Sequence, residues 1–500
     1  MHPRGQKVIL KTCGIVFLTR RAFEMKIENI NIDDTIQQVK DQLEEDDTLS
    51  PGFRASVELL LLVVTLLVNR LGINSSNSSK PPSTDPFRKK KPKGKKNGAK
   101  QGGQKNHKGR NLKPLPDPDI ITPIPVDRDE LPPGQYHEVD CVVRQVIDIS
   151  FKRVVTEYQA QVLENERGKR FIAPFPMGVT RPVQYGTEVK VNAVYMSMFQ
   201  LIPYGRVEDH FRDQVGLPIS AATVFEFNRQ AYQKLEYFEE WVARMIMSSH
   251  VVHLDETGIN HSGKRKWLHC ACTPWFTFFR PHEKRGHLAM DDMGILPTFR
   301  GVICHDHWKP YYRYKDVQHV LCNAHHLREL ERAWDQDDQK WAKKMQKLLR
   351  EINKATIEAE GCLKPPDQEK YRKEYKKLLA DAEKECPPPE LGDRKGKRGR
   401  IPRSKARNLL ERLRDFEDDV LRFMTDKDIH FTNNLAERDL RMTKLHQKIS
   451  GCFRSWEGAK IFCRIRSYLS TAKKNGVGAT QALRLLFDGK LPDFVTDSPK

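Results

Sequence analysis

No stretch of this 500-residue sequence is both long and apolar enough to suggest a membrane helix. The most apolar run, Val57 to Val68, spans 12 residues and contains Glu58 and Thr65. A bilayer needs roughly 20 such residues. A secretory leader is not expected either, because Arg4, Lys7, Lys11, Arg20 and Arg21 break up the first apolar pieces. The ten cysteines form no regular paired framework, which excludes a disulfide scaffold and argues for free thiols in a reducing compartment. No internal repeat is visible. Acids are in deficit, with 66 Asp and Glu against 86 Lys and Arg, for a net charge of +20. Because the excess is clustered, a polyanionic partner, nucleic acid first, is expected.

The length calls for two or three domains with linkers. Residues 1–73 form an N-terminal region in which Ser56 to Leu71 reads as one helix, apolar on nearly every side, either a core helix or an oligomerising one. Met25 is an alternative start. The turn-forming segment NSSNSSKPP stops that helix. It opens a basic linker, 74–134, in which Lys80 to Lys113 holds 13 basic residues, one acid (Asp85) and one aromatic side chain (Phe87). Such a segment buries no core, so a disordered arm that seeks phosphates is expected, with Lys89, Lys90, Lys91, Lys95 and Lys96 in contact with DNA. A solvated linker is the plain alternative. Residues 135–205 read as a small β unit, because HEVDCVVRQVIDI and FKRVVTEYQAQVL alternate with period two. After Tyr185-Gly186 the pattern turns helical. Across 206–247, Glu208 to Val215, a break at Gly216-Leu217-Pro218 and a helix capped by Ser220 look like a helix-turn-helix, as any two packed helices can.

Residues 248–334 read as strands at 249–254, 265–273, 275–280, 300–305 and 318–322, with a short helix before the fourth and a helix starting near His325. A charged helical insertion, 335–428, follows, interrupted at Pro365-Pro366 and Pro387-Pro388-Pro389. It holds a second basic run of eight Lys or Arg from Arg394 to Arg407. The final block, 429–490, is helical again. The expected fold class is α/β and multidomain.

Three segments each carry one carboxylate: VVHLDET with Asp255, GVICHDHW with Asp306 and TNNLAERDLR with Glu437. The first two acids are read at strand exits and the third on a helix. Phosphodiester cleavage suits such a set, because two Mg²⁺ ions roughly 4 Å apart prefer a few hard oxygen ligands. Glu256 should point away from Asp255, since strand side chains alternate. Each acid also has a plain reading: a turn acid at Asp255, a polar strand end at Asp306, and at Glu437 a capping box with Asn434 as N-cap. Arg438 and Arg441 near Glu437, then Lys444, Lys448 and Arg454, are candidate contacts to the DNA backbone. Ordinary pairing with Asp439 is the alternative. Cys322, His325 and His326 could approach Cys304, His305 and His307, but the spacing is short of a convincing zinc motif, and a structural or substrate-orienting role for His325 and Arg328 is expected instead.

The segments DETGINHSGKRKWLHCA, HEKRGHLAMDDMGILPTFRG, HDHWKPYYRY, LCNAHHLRELERAW and the tail from TNNLAERDLR to KKNGVG resemble insertion sequence 66 transposases. So do NSSNSSKPPSTD and FPMGVTRPVQYG, so the likeness runs from about residue 56 to 489. The resemblance implies a DDE transposase with a ribonuclease-H-like mixed sheet flanked by helices. It assigns the catalytic and metal-binding roles to Asp255, Asp306 and Glu437. It also implies Mg²⁺, or Mn²⁺ in its place, DNA as partner at element ends and target, a homo-oligomer on DNA, accessory proteins of the element, and a bacterial, cytoplasmic location at the nucleoid. Many relatives carry a cysteine-rich zinc ribbon before the FPxGV segment. Here 135–173 has only Cys141, so zinc is not expected there and a metal-free β unit replaces the ribbon. A catalytically inactive DNA-binding relic and a ribonuclease-H-like nuclease without strand transfer remain as alternatives. The presence of all three acids favours the transposase.

Overall fold

The computed structural model describes residues 26–27, 30–46, 49–71, 78, 114–127, 129–137, 140–389 and 403–495. The basic arm with Lys89, Lys90, Lys91, Lys95 and Lys96 lies outside them, as does the start of the second basic run, 394–402. The described residues divide into two compact units, one drawn from 1–88, 181–208 and 219–500, the other from 89–180 and 209–218.

The larger unit is built on a five-stranded mixed sheet. Strands β1 (Val251–His261), β2 (Lys264–Cys272) and β3 (Thr277–His282) are antiparallel neighbours, and β4 (Val302–His305) and β5 (Gln318–Leu321) continue the sheet in parallel. The order across the sheet is β3-β2-β1-β4-β5. The first four residues of β1 and all of β4 are buried. Parallel strands covered on both faces need such continuous apolar runs.

Asp255 is not at a strand exit. Strand β1 runs on to His261 because Ser262 and Gly263, at φ 50° and 72°, make the two-residue turn that lets β2 pair back along its whole length. The exposed backbone of edge strand β3 is covered by helix Trp456–Lys474. Phe279 N donates to Ser467 Oγ at 2.9 Å, and Thr277 N to Thr471 Oγ1 at 3.0 Å.

Beyond β5 come helix α1 (Asn323–Asp337), which is the helix read near His325, and then, within the segment read as an insertion, α2 (Lys340–Glu358), α3 (Pro365–Glu385) and α4 (Lys405–Asp415). Pro365 opens α3 rather than breaking a helix, because the first helical position needs no N–H donor. Trp341, Leu349, Tyr375, Leu410 and Phe423 share one apolar core with Val302, Cys304, Val320 and Leu321 of the sheet. The insertion is therefore docked on β4 and β5. Helix α5 (Asn434–Ser450) then returns against β1, where Gln447 Nε2 donates to Gly258 O at 2.8 Å.

Helix Tyr204–Val215, a break from Gly216 (φ 63°) to Pro218, and helix Ala221–Lys234 succeed one another along the chain. Ser220 caps the second helix, its Oγ accepting from Thr223 N at 3.1 Å. Val224, Phe227, Asn228 and Ala231 of that helix are buried. Upstream, helix Pro51–Leu71 leaves Phe53, Leu59, Leu60, Leu62, Val63, Val64 and Leu67 exposed, unlike a core helix. Among the described residues no helix is long and apolar enough to cross a membrane.

The β unit expected at 135–205 is largely absent. Its strands are Val162–Glu164 and Arg170–Ile172, a hairpin of exposed residues, and Thr187–Phe199 is helical. Residues 140–161 form no strand, and Val142, Val143, Val146, Val154 and Val155 are exposed. Period-two alternation makes a strand only when a neighbour pairs its backbone and a core covers its apolar face.

Candidate active site

Strands β1 and β4 pair in parallel with Val251 opposite Val302, Val252 opposite Ile303 and His253 opposite Cys304. That register, extended by two residues, sets Asp255 opposite Asp306 and on the same face of the sheet. Asp306 is the first residue past β4, and His307, at φ 69°, turns the chain away. Each carboxylate is fixed by a main-chain donor: Glu256 N to Asp255 Oδ1 at 2.9 Å and Trp308 N to Asp306 Oδ1 at 3.1 Å.

Glu437 arrives on the first turn of α5. It makes no capping box, because the side chain before the helix has another task. Asn433 Nδ2 donates to Leu254 O at 2.7 Å, and Asn433 Oδ1 lies 2.9 Å from His253 Nδ1. Burial holds His253 down at about 4, so the ring is neutral at ordinary pH and its Nδ1–H donates. Glu437 is thereby free to face inward. Its buried Oε1 has no hydrogen-bond partner among the described residues, with His325 Nε2 at 3.9 Å and Arg328 Nη2 at 3.8 Å.

The three acids act on one another. Burial pushes the Asp255 carboxyl up to about 8, and the charges of Glu256, Asp306 and Glu437 add to the shift. Like charges gathered in a low-dielectric site favour either a retained proton or a bound cation. A carboxylate oxygen without a hydrogen bond among the described residues, close enough to Asp255 to act on its charge, suits a divalent cation.

Sequence reasoning missed the neighbour of this site. Glu256 has a side chain only 1% exposed. Its Oε1 accepts from Arg285 Nε at 2.8 Å, and Oε2 accepts from Tyr311 OH at 2.7 Å. Glu256 is thus engaged by partners of its own. Burial and the charge of Asp306 raise its carboxyl above the usual range, while Tyr311 and Arg285 pull it back. The adjacency of two acids in DET was the available signal. The partners come from separate segments, Arg285 from the stretch after β3 and Tyr311 from the 3₁₀ turn Lys309–Arg313.

Cys322 acts on Cys304, and His307 and His325 act on His326, so these segments do approach, while two of the histidines are engaged elsewhere. His305 Nε2 is 3.0 Å from His319 Nδ1, and His326 Nδ1 is 3.0 Å from Asn323 Oδ1. Ligand atoms of Cys322, His325 and Glu437 do lie within 4.8 Å of one another.

On α5, Arg441, Lys444 and Lys448 follow Glu437 at helical spacing, and they, Arg438 and Arg454 are all exposed. Asp439 turns the other way, to Lys474 Nζ at 2.7 Å and Thr277 Oγ1 at 2.8 Å, so it is not their partner.

A family model described as Transposase IS66 family matches residues 182–461. A second, described as a family of unknown function (DUF6444), matches residues 22–113. No curated protein matches the chain.

Proposed function

The chain belongs to the IS66 transposase family, and from that premise we propose that it cuts the ends of a mobile DNA element and joins the freed 3′-hydroxyls to target DNA. The observation that carries this reading is the pairing of β1 with β4, whose register brings Asp255 and Asp306 to one face, with Glu437 acting on the same carboxyl group. The strand order β3-β2-β1-β4-β5, with its antiparallel first half and parallel second half, supports a ribonuclease-H-like core.

In this reading Asp255, Asp306 and Glu437 hold divalent cations, Mg²⁺ by the hardness of the ligands. When bound, the ions activate the attacking hydroxyl and stabilise the leaving oxygen of an in-line displacement. The protein residues supply position. Trp308 N and Glu256 N fix one oxygen each of Asp306 and Asp255, and Asn433 seats the helix that brings Glu437. Arg438, Arg441, Lys444, Lys448 and Arg454 contact the DNA backbone, and the basic arm adds salt-sensitive affinity. Two element ends require two such sites, hence a homo-oligomer on DNA.

The test is purified protein with labelled element-end DNA and Mg²⁺, scored for nicking and for joined products. Nicking without joining would make the chain a nuclease of the same fold class. Neither product would reject the enzyme.

A further inference from the structure

Paired with Glu256, the residue after Asp255, stands an arginine whose surroundings are built more elaborately than a structural ion pair requires. Arg285 Nε and Nη2 lie 2.8 and 2.6 Å from Glu256 Oε1, deep in the protein. The guanidinium carbon lies over the Trp308 ring at 4.1 Å and over the Trp267 ring at 4.9 Å. Tyr311 holds the other Glu256 oxygen and stacks on His305 at 4.6 Å, so the carboxylate under the arginine is itself fixed. Among the described residues Arg285 Nη1 has no partner, and the side chain is 36% exposed. One edge of the fork is therefore pinned, two indoles flank it, and Nη1 is left without a partner among the described residues.

Two links tie this arginine to the acids. Trp308, the closer indole, donates its backbone N–H to Asp306 Oδ1. Glu256 follows Asp255 in β1 and feels the charge of Asp306. A planar, weakly hydrated cation with a preset free edge is suited to a phosphate oxygen, and it loses little conformational freedom on binding. If the guanidinium only neutralised Glu256, neither the indole walls nor a free Nη1 would be needed. We propose that Arg285 is a phosphate clamp, binding a backbone phosphate of the DNA strand next to the scissile linkage, with Glu256, Trp267 and Trp308 as its positioning residues. The proposal rests on the transposase reading of Asp255, Asp306 and Glu437.

The experiment is a scan with neutral methylphosphonate linkages, one at a time, through duplexes carrying the cut site. Binding is read in Ca²⁺, and nicking by the wild type in Mg²⁺. Arg285→Ala would leave Glu256 charged and buried without a partner, so it is combined with Glu256→Gln. Arg285→Lys is the second variant, since a lysine keeps the charge but not the fork. For the wild type, one linkage beside the cut should weaken binding about tenfold when neutralised. For the double variant the same linkage should change binding less than about twofold, and for Arg285→Lys by an intermediate factor. Equal losses in all three proteins at every linkage would overturn the clamp while wild-type nicking leaves the transposase reading intact. A wild type that neither nicks nor joins would remove both.

Discussion

Asn433 joins the strand that carries Asp255 to the helix that carries Glu437, by donating from Nδ2 to the Leu254 carbonyl at 2.7 Å. The bond sits one residue before the first acid and four before the third. Its buried amide also takes the His253 Nδ1 proton, so both ends of the side chain are used. Asn433→Ala leaves a buried carbonyl and a buried ring N–H unpaired, a cost of about 1–3 kcal/mol for each group so stranded. We expect a lower thermal midpoint, a drop in nicking of at least tenfold and little change in DNA affinity. Unchanged nicking would show that Glu437 is positioned without Asn433.

Replacing Asp255 or Asp306 with Asn, or Glu437 with Gln, should abolish nicking while DNA binding is largely kept, because a neutral amide is a poor ligand for Mg²⁺. Gel-shift and cleavage assays on the same preparations separate the two effects. Any one variant that nicks at the wild-type rate removes that residue from the site.

The raised Asp255 carboxyl has a consequence for the metal-free protein. Its folded value of about 8 lies above the unfolded value of about 3.9, so the folded state keeps the proton to higher pH. Stability associated with this group is full below about pH 4 and is lost as pH rises toward about 8. At pH 7 the cost is on the order of 2–4 kcal/mol. Asp255→Asn removes it, so without divalent ions the variant should melt above the wild type at pH 7, and the gap should close toward pH 4. Mg²⁺ must displace the same proton. Calorimetry in buffers of different ionisation enthalpy should therefore detect proton release on Mg²⁺ binding at pH 7, absent from Asp255→Asn. A wild type that binds Mg²⁺ without releasing protons would contradict the raised carboxyl.

What the sequence revealed and what it hid follow from range. Strands β1, β4 and β5 were legible because VVHL, VICH and HVLC are short apolar runs next to polar or turn-forming residues, the pattern that two-sided burial imposes. Asp306 and the start of α5 came with them. The continuation of β1 past Asp255 was hidden, because it depends on the Ser262-Gly263 turn and on β2, not on local alternation. Residues 140–161 misled for the opposite reason: they alternate well and have nothing to pair with. Arg285 and Tyr311 could not be tied to Glu256 by any spacing rule, since they reach it from positions 29 and 55 residues away.

The basic arm yields the last prediction. Deleting Lys80 to Lys113 removes 13 cationic side chains and one acid. Such a segment meets phosphates rather than base edges, so random and element-end DNA should lose affinity by about the same factor. Each phosphate contact removed should flatten the slope of log affinity against log salt by about 0.9. The measurement is binding of both DNAs by the full and deleted chains over a range of salt. Nicking at low salt should survive the deletion, because Asp255, Asp306, Glu437 and the basic face of α5 are all retained. A deletion that spares random DNA and weakens only element ends would show that the arm reads sequence.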